Sequence, residues 1–173
     1  MQKQDLIRAN SQQYNERTAI AHLKELHLEQ QKFKYPSLPY YSAPNFSAAK
    51  TNGLTRCVIH FLRLKGHQAE RISCEGRIID NRITYMDTVG YNRTIGSIQY
   101  IKSSGQPGTA DISATVNGQS VKLEIKNALT HDKQSEVQRQ YQRQIEESGG
   151  VYVIITSLAM FINWFYSNME VAK

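Results

Sequence analysis

Gly108-Thr109-Ala110-Asp111-Ile112, with Leu123-Glu124-Ile125-Lys126 beginning eleven residues beyond that Ile, decides how this chain folds. Across residues 111–116 polar and apolar side chains alternate, Asp111, Ser113 and Thr115 against Ile112, Ala114 and Val116, the period of a half-buried strand. Asn117-Gly118 then turns the chain, because that pair tolerates the positive φ angles of a tight hairpin. The returning strand, 121–126, alternates again: Lys122, Glu124 and Lys126 face one way, Leu123 and Ile125 the other. With the polar faces coincident, Asp111 and Glu124 converge. Lys126, about 6.6 Å along the strand from Glu124, points into the same cleft.

Converging carboxylates repel unless a hard cation or a shared proton separates them, and oxygen-only ligation favours Mg2+ or Mn2+ over zinc. A neighbouring lysine then holds a phosphate or orients an attacking water. The same residues also fit an exposed hairpin with an ordinary Glu–Lys pair on its polar face, and the strand pattern accommodates both readings.

Outward from this hairpin, Ser135-Glu136-Val137-Gln138 has the form of a capping box, opening a helix with Val137, Tyr141 and Ile145 on one line. Ser148-Gly149-Gly150 ends it, and Val151-Tyr152-Val153-Ile154-Ile155 reads as a fully buried strand. Ser157 caps a last helix with Leu158, Phe161, Ile162, Phe165 and Met169 as its core stripe and Trp164 and Tyr166 towards its edges. Upstream, Thr51 or Asn52 caps a helix carrying Leu54, Val58, Phe61 and Leu62, closed by Gly66 as the glycine after its C-cap. Between residues 68 and 104 two or three strands are expected, at 69–74, 77–86 with Asp80-Asn81 as a turn, and 95–102, the last partly buried on both faces. Residues 1–34 suit a weakly amphipathic helix that needs a partner surface, and three prolines between Tyr35 and Pro44 make an extended linker. The division expected is therefore a helical arm and Pro/Tyr-rich linker at 1–50, then one domain at 51–173.

The ordered set resembles the PD-(D/E)XK nuclease superfamily, in which an Asp opens one strand and the next carries (D/E)-x-K. Here Ala110-Asp111 stands where that family has Pro-Asp, and Glu124-Ile125-Lys126 fits the second element. The Gly-x-x-Asp-Ile opening, the polar helix with Gln138 and the Gly149-Gly150 turn resemble the VRR-Nuc branch, itself similar to Holliday junction resolvases. The resemblance spans roughly residues 51–166. It implies an α/β, restriction-endonuclease-like αβββαβ core, a mixed central sheet flanked by helices. It also implies a Mg2+- or Mn2+-dependent DNA endonuclease, with branched or flap DNA as candidate substrates. Asp111, Glu124 and the Ile125 backbone carbonyl would ligate the metal, Lys126 would stabilise developing charge, and Gln138 would bind phosphate or the attacking water. In the family the first core helix often adds a glutamate to the metal; Thr51, Asn52 and Gly53 occupy that stretch here. A two-fold homodimer, built on the apolar last helix, is expected by analogy with the resolvases.

At 173 residues and 19.8 kDa the chain has room for one sizeable core. A net charge of +6 and a pI near 9.3 suit a polyanionic partner, and Lys133 just before the 135–147 helix, with Arg139 and Arg143 on its polar flank, are the nucleic-acid contacts expected. Arg71, Arg77, Arg82 and Arg93 form a second basic set. Cys57 and Cys74 have no metal-ligand or disulfide spacing and read as reduced and buried; His131-Asp132 reads as an exposed loop pair. With no apolar leader at 1–13 and no span of about 20 apolar residues, the chain reads as cytoplasmic, with no membrane partner. Two other functions fit the same sequence: a catalytically silent nucleic-acid-binding module, and an assembly protein whose basic arm binds an acidic partner.

Overall fold

The computed structural model describes residues 13–73, 76–103, 105–126 and 133–169. The elements are α1 (Glu16–Lys34), α2 (Thr51–Leu64), β1 (Gln68–Arg71), β2 (Arg77–Asp80), β3 (Ile83–Met86), β4 (Asn92–Ile95), β5 (Ile98–Ile101), β6 (Ile112–Val116), β7 (Gln119–Ile125), α3 (Glu136–Glu147), β8 (Val151–Ile155) and α4 (Leu158–Asn168). The architecture is α/β. A four-stranded sheet runs β1-β6-β7-β8, the first two pairings antiparallel and β7-β8 parallel. The parallel step requires a crossover, and α3 supplies it.

The β6-β7 hairpin closes as its sequence dictates, with Asn117 at φ 51° and Gly118 at φ 81°. Its alternation sorts side chains onto two layers. Ile112, Ala114, Val116, Val121, Leu123 and Ile125 face the main core, where α2 and α4 bring Leu54, Val58, Phe61, Leu62, Phe161, Ile162 and Phe165. Phe61 is fully buried and meets Phe161 and Phe165 edge-on at 5.5 and 5.1 Å between ring centres. Truncating it to alanine should cost about 3–5 kcal/mol. The opposite face of the sheet is covered by α3, through a smaller cluster of Ala110, Tyr141 and Tyr152 with Ile145 and Ile154.

The partner surface that α1 needs lies in the same chain. Ala19 and Leu23 are fully buried in the main core. The Glu16 carboxylate accepts from the Leu158 and Ala159 amides at 3.3 and 3.0 Å, so the first turn of α1 caps the first turn of α4. The Asn163 side chain bonds both the amide and the carbonyl of Tyr14. Residues 1–12 of the expected arm lie outside the described residues.

Three local expectations change. The N-cap of α2 is Lys50, with no side-chain bond, and neither Thr51 nor Asn52 performs that role; both are already inside the helix. Gly66, at φ 83°, follows the C-cap as expected. Asp80-Asn81 does not reverse the chain: β2 continues into β3, Asp80 bonds Arg82, and the reversal comes at residues 87–91, where the Asp87 amide donates to Tyr91 and Asp87 Oδ1 accepts from the Val89 and Tyr91 amides. The return path includes β4, which its polar sequence Asn92-Arg93-Thr94 conceals. The strand at Ile98–Ile101 is exposed at every position.

The result is a two-stranded ribbon, residues 77–101, inserted between β1 and β6. β2 pairs with β5 and β3 with β4 in one continuous register, joined by the bond from the Asn81 amide to the Ser97 carbonyl. Cys57 is buried as expected; Cys74 lies outside the described residues.

Candidate functional site

Four of the sequence-selected side chains meet on the α3 face of the sheet. The ladder that pairs Ile112 with Leu123 sets Asp111 opposite Glu124 one step further on. Asp111 is tied to the neighbouring strand, its Oδ2 accepting from the Ile125 amide at 2.8 Å. Glu124 and Lys126 are 3% and 9% exposed, and Lys126 Nζ lies 3.1 Å from Glu124 Oε1. Lys122 shares the face but donates to Ser113 Oγ at 2.5 Å, at the far end from Lys126.

A buried Glu–Lys pair contributes little to stability, because the cost of removing both charges from water rivals their attraction; well-packed apolar residues often serve a fold as well or better. Such a pair beside a second carboxylate marks this face as the candidate site.

Gln138 joins the pair. Its Oε1 accepts from the Ser135 amide at 2.9 Å while Ser135 Oγ accepts from the Gln138 amide at 3.3 Å, which is the reciprocal capping box. Its Nε2 donates to Glu124 Oε1 at 2.5 Å. The helix cap and the carboxylate contact are therefore one arrangement: the amide is oriented by the cap at one end and presented to Glu124 at the other. Backbone geometry sets the approach. Gly108, at φ 78°, passes so close to α3 that a Cβ there would stand 2.7 Å from the carbonyl group of Val137. Only glycine lets the strand that delivers Asp111 lie against the turn that delivers Gln138.

Tyr152 forms a wall that the sequence does not announce. The phenol is buried, and burial, followed by the nearby Glu124 carboxylate, holds its ionisation far above the ordinary range; the Gln134 side chain offsets this in part. It stays neutral. Its place follows from the parallel pairing of Lys122 with Tyr152 and of Glu124 with Ile154, a long-range fact hidden in an apolar run.

Asp111 and Glu124 are the residues that would hold a hard cation, with oxygen donors of the right type on adjacent strands. Among the described residues no group of three or more His, Cys, Asp or Glu side chains forms a metal-ligand cluster. The first core helix adds no acid: Gly53 is buried, and a Cβ there would collide with the Ser47 carbonyl. His131 and Asp132 lie outside the described residues.

Lys133, Arg139 and Arg143 are exposed at the start and along one side of α3. Arg139 binds Glu136 at 2.6 Å and Arg143 reaches the same carboxylate at 3.5 Å, so one acid offsets two of the three cations. Those contacts, chiefly the Arg139 hydrogen bond, draw the Glu136 carboxyl below its usual range. In the ribbon, Arg82 and Arg93 are paired with Asp80 and Asp87. No helix among the described residues is long and apolar enough to cross a membrane. No protein-family model matches the chain, and no curated protein sequence matches it.

Proposed function

We propose that the protein is a divalent-metal-dependent DNA endonuclease of the PD-(D/E)XK type, close to its VRR-Nuc branch, acting on duplex or branched DNA. The observation that carries this reading is the buried Glu124–Lys126 pair beside Asp111, held by Gln138 from a capped helix. The order of elements through the sheet, helix-strand-strand-strand-helix-strand with the ribbon as an insertion, supports the same reading.

The donor set fits a hard cation: two carboxylates on opposed positions of adjacent strands, with the Ile125 carbonyl at the end of β7 as a third oxygen. When bound there, Mg2+ or Mn2+ supplies an activated water and offsets charge on the leaving oxygen. Asp111 is held in place by the Ile125 amide, so its orientation is set before any ligand arrives. Lys126 carries a charge into a largely water-excluded site, where it is worth more to a pentavalent phosphorus centre than it would be in solvent. Gln138 fixes the Glu124 carboxylate and acts as a positioning residue. Tyr152 closes the site without competing for the proton.

Titrating manganese into the protein in a calorimeter, then adding labelled duplex, flap and four-way-junction DNA, tests the reading. Binding that is lost in Asp111→Asn, together with cleavage of one of these substrates, is the expected result. DNA binding without metal uptake or cleavage would identify a silent binding module instead.

A further inference from the structure

We infer that the ribbon at residues 77–101 is where two copies of this chain meet. Of the large apolar side chains left exposed among the described residues, ten belong to this segment, which makes it the main apolar surface they present. They lie on both faces. Ile83 stands opposite Ile95, with Tyr85 next to them on the same face; Ile78 stands opposite Tyr100, with Ile98 beside them on the other. Their exposures run from 44% at Ile101 to 76% at Val89. A two-stranded ribbon standing alone is marginal in water, and contiguous apolar surface of this extent marks an interface.

The charges say what kind of partner fits. The ribbon holds Arg77, Arg82 and Arg93 against Asp80 and Asp87, and the two aspartates are already engaged by Arg82 and Arg93 at 2.8 and 2.9 Å. One uncompensated arginine gives a polyanion little to bind, and an acidic or basic protein would find no complementary field. A neutral, apolar surface is complementary to itself, as a two-fold interface requires. Taking roughly 150–200 Å² per large side chain, the exposed fractions amount to about 1,000 Å². That is the scale a stable pair needs, about 800 Å² on each partner. Both faces of the ribbon contribute to that area.

This surface replaces the last helix as the basis for a dimer. Leu158, Phe161, Ile162, Phe165 and Met169 are all buried within one subunit, and Tyr166, read from the sequence as an edge residue, is buried with them. The expected homodimer therefore loses its original support and gains a different one.

Sedimentation equilibrium of the full chain at micromolar concentration, without metal or DNA, tests the inference independently of any nuclease activity. The wild type is expected at the dimer mass. Ile83→Glu with Ile95→Glu, both exposed positions, should raise the dissociation constant by about 30-fold or more while leaving the circular dichroism spectrum intact. If that variant fails to fold, Ile78→Lys with Tyr100→Lys on the opposite face should weaken association by a similar factor, and Phe33→Ser on α1 should not. A monomeric wild type overturns the inference, as does a dimer that survives both ribbon variants. A monomer whose DNA binding disappears with the ribbon changes would assign the ribbon to nucleic acid and overturn it equally.

Discussion

At the scale of single residues, Asp111 and Glu124 should respond differently to loss of charge. Asp111 accepts from a backbone amide and is half-buried, so Asp111→Asn keeps an acceptor in place and should leave metal-free unfolding nearly unchanged. Glu124→Gln removes the carboxylate charge 3.1 Å from the buried Lys126 ammonium, which should cost about 3 kcal/mol in the absence of metal. Urea titration of both variants checks this; equal stabilities would mean that the pair is more hydrated than its burial indicates. Histidines add a pH dependence. Burial, then Lys65, lowers His22 from its ordinary 6.5, and burial, then His27 and Arg63, lowers His60. A folded-state value below the unfolded one means that the unfolded chain takes the proton first. The stabilisation is therefore present above pH 6.5 and is lost as pH falls below it through the folded values. The melting temperature should drop between pH 7 and 5, and His60→Gln should flatten that drop; an unchanged profile would remove His60 from the account.

Among the elements, α3 carries both a helix cap and a contact to the candidate site, and the two are separable by substitution. Ser135→Ala removes only the helix cap, at about 1 kcal/mol, whereas Gln138→Ala removes the cap's return bond and the contact to Glu124. If Gln138 positions the carboxylate, Ser135→Ala should cleave DNA at close to the wild-type rate and Gln138→Ala should be markedly slower at equal folded fraction. Equal rates would leave Gln138 a cap alone. The same helix shows what a sequence discloses. The β6-β7 hairpin and the capping box were legible because alternation, Asn-Gly chemistry and Ser-x-x-Gln spacing act over a few residues. The ribbon was only partly legible: its apolar residues point to both faces, so no clean alternation survives, and Asn92–Ile95 looks like a loop. Tyr152 was not legible, because its position depends on the parallel register between strands separated by all of α3.

For the whole molecule, the net charge of +6 predicts phosphate contacts, but the fold distributes that charge unevenly. With calcium in place of magnesium, DNA affinity should fall with salt at a slope near −0.9 per phosphate contacted. Replacing Lys133, Arg139 and Arg143 by alanine should flatten the slope, whereas Glu136→Gln, which removes the carboxylate shared by two arginines, should tighten binding. A slope unaffected by the triple replacement would put any nucleic acid elsewhere on the surface. The central claim is tested most directly by single-turnover cleavage of duplex and four-way-junction DNA in Mg2+ or Mn2+, comparing wild type with Lys126→Ala. Metal-dependent cleavage by the wild type, slowed about 10²–10³-fold by Lys126→Ala with metal affinity retained, is the predicted result. No cleavage with either metal, or cleavage by Lys126→Ala at the wild-type rate, would contradict it.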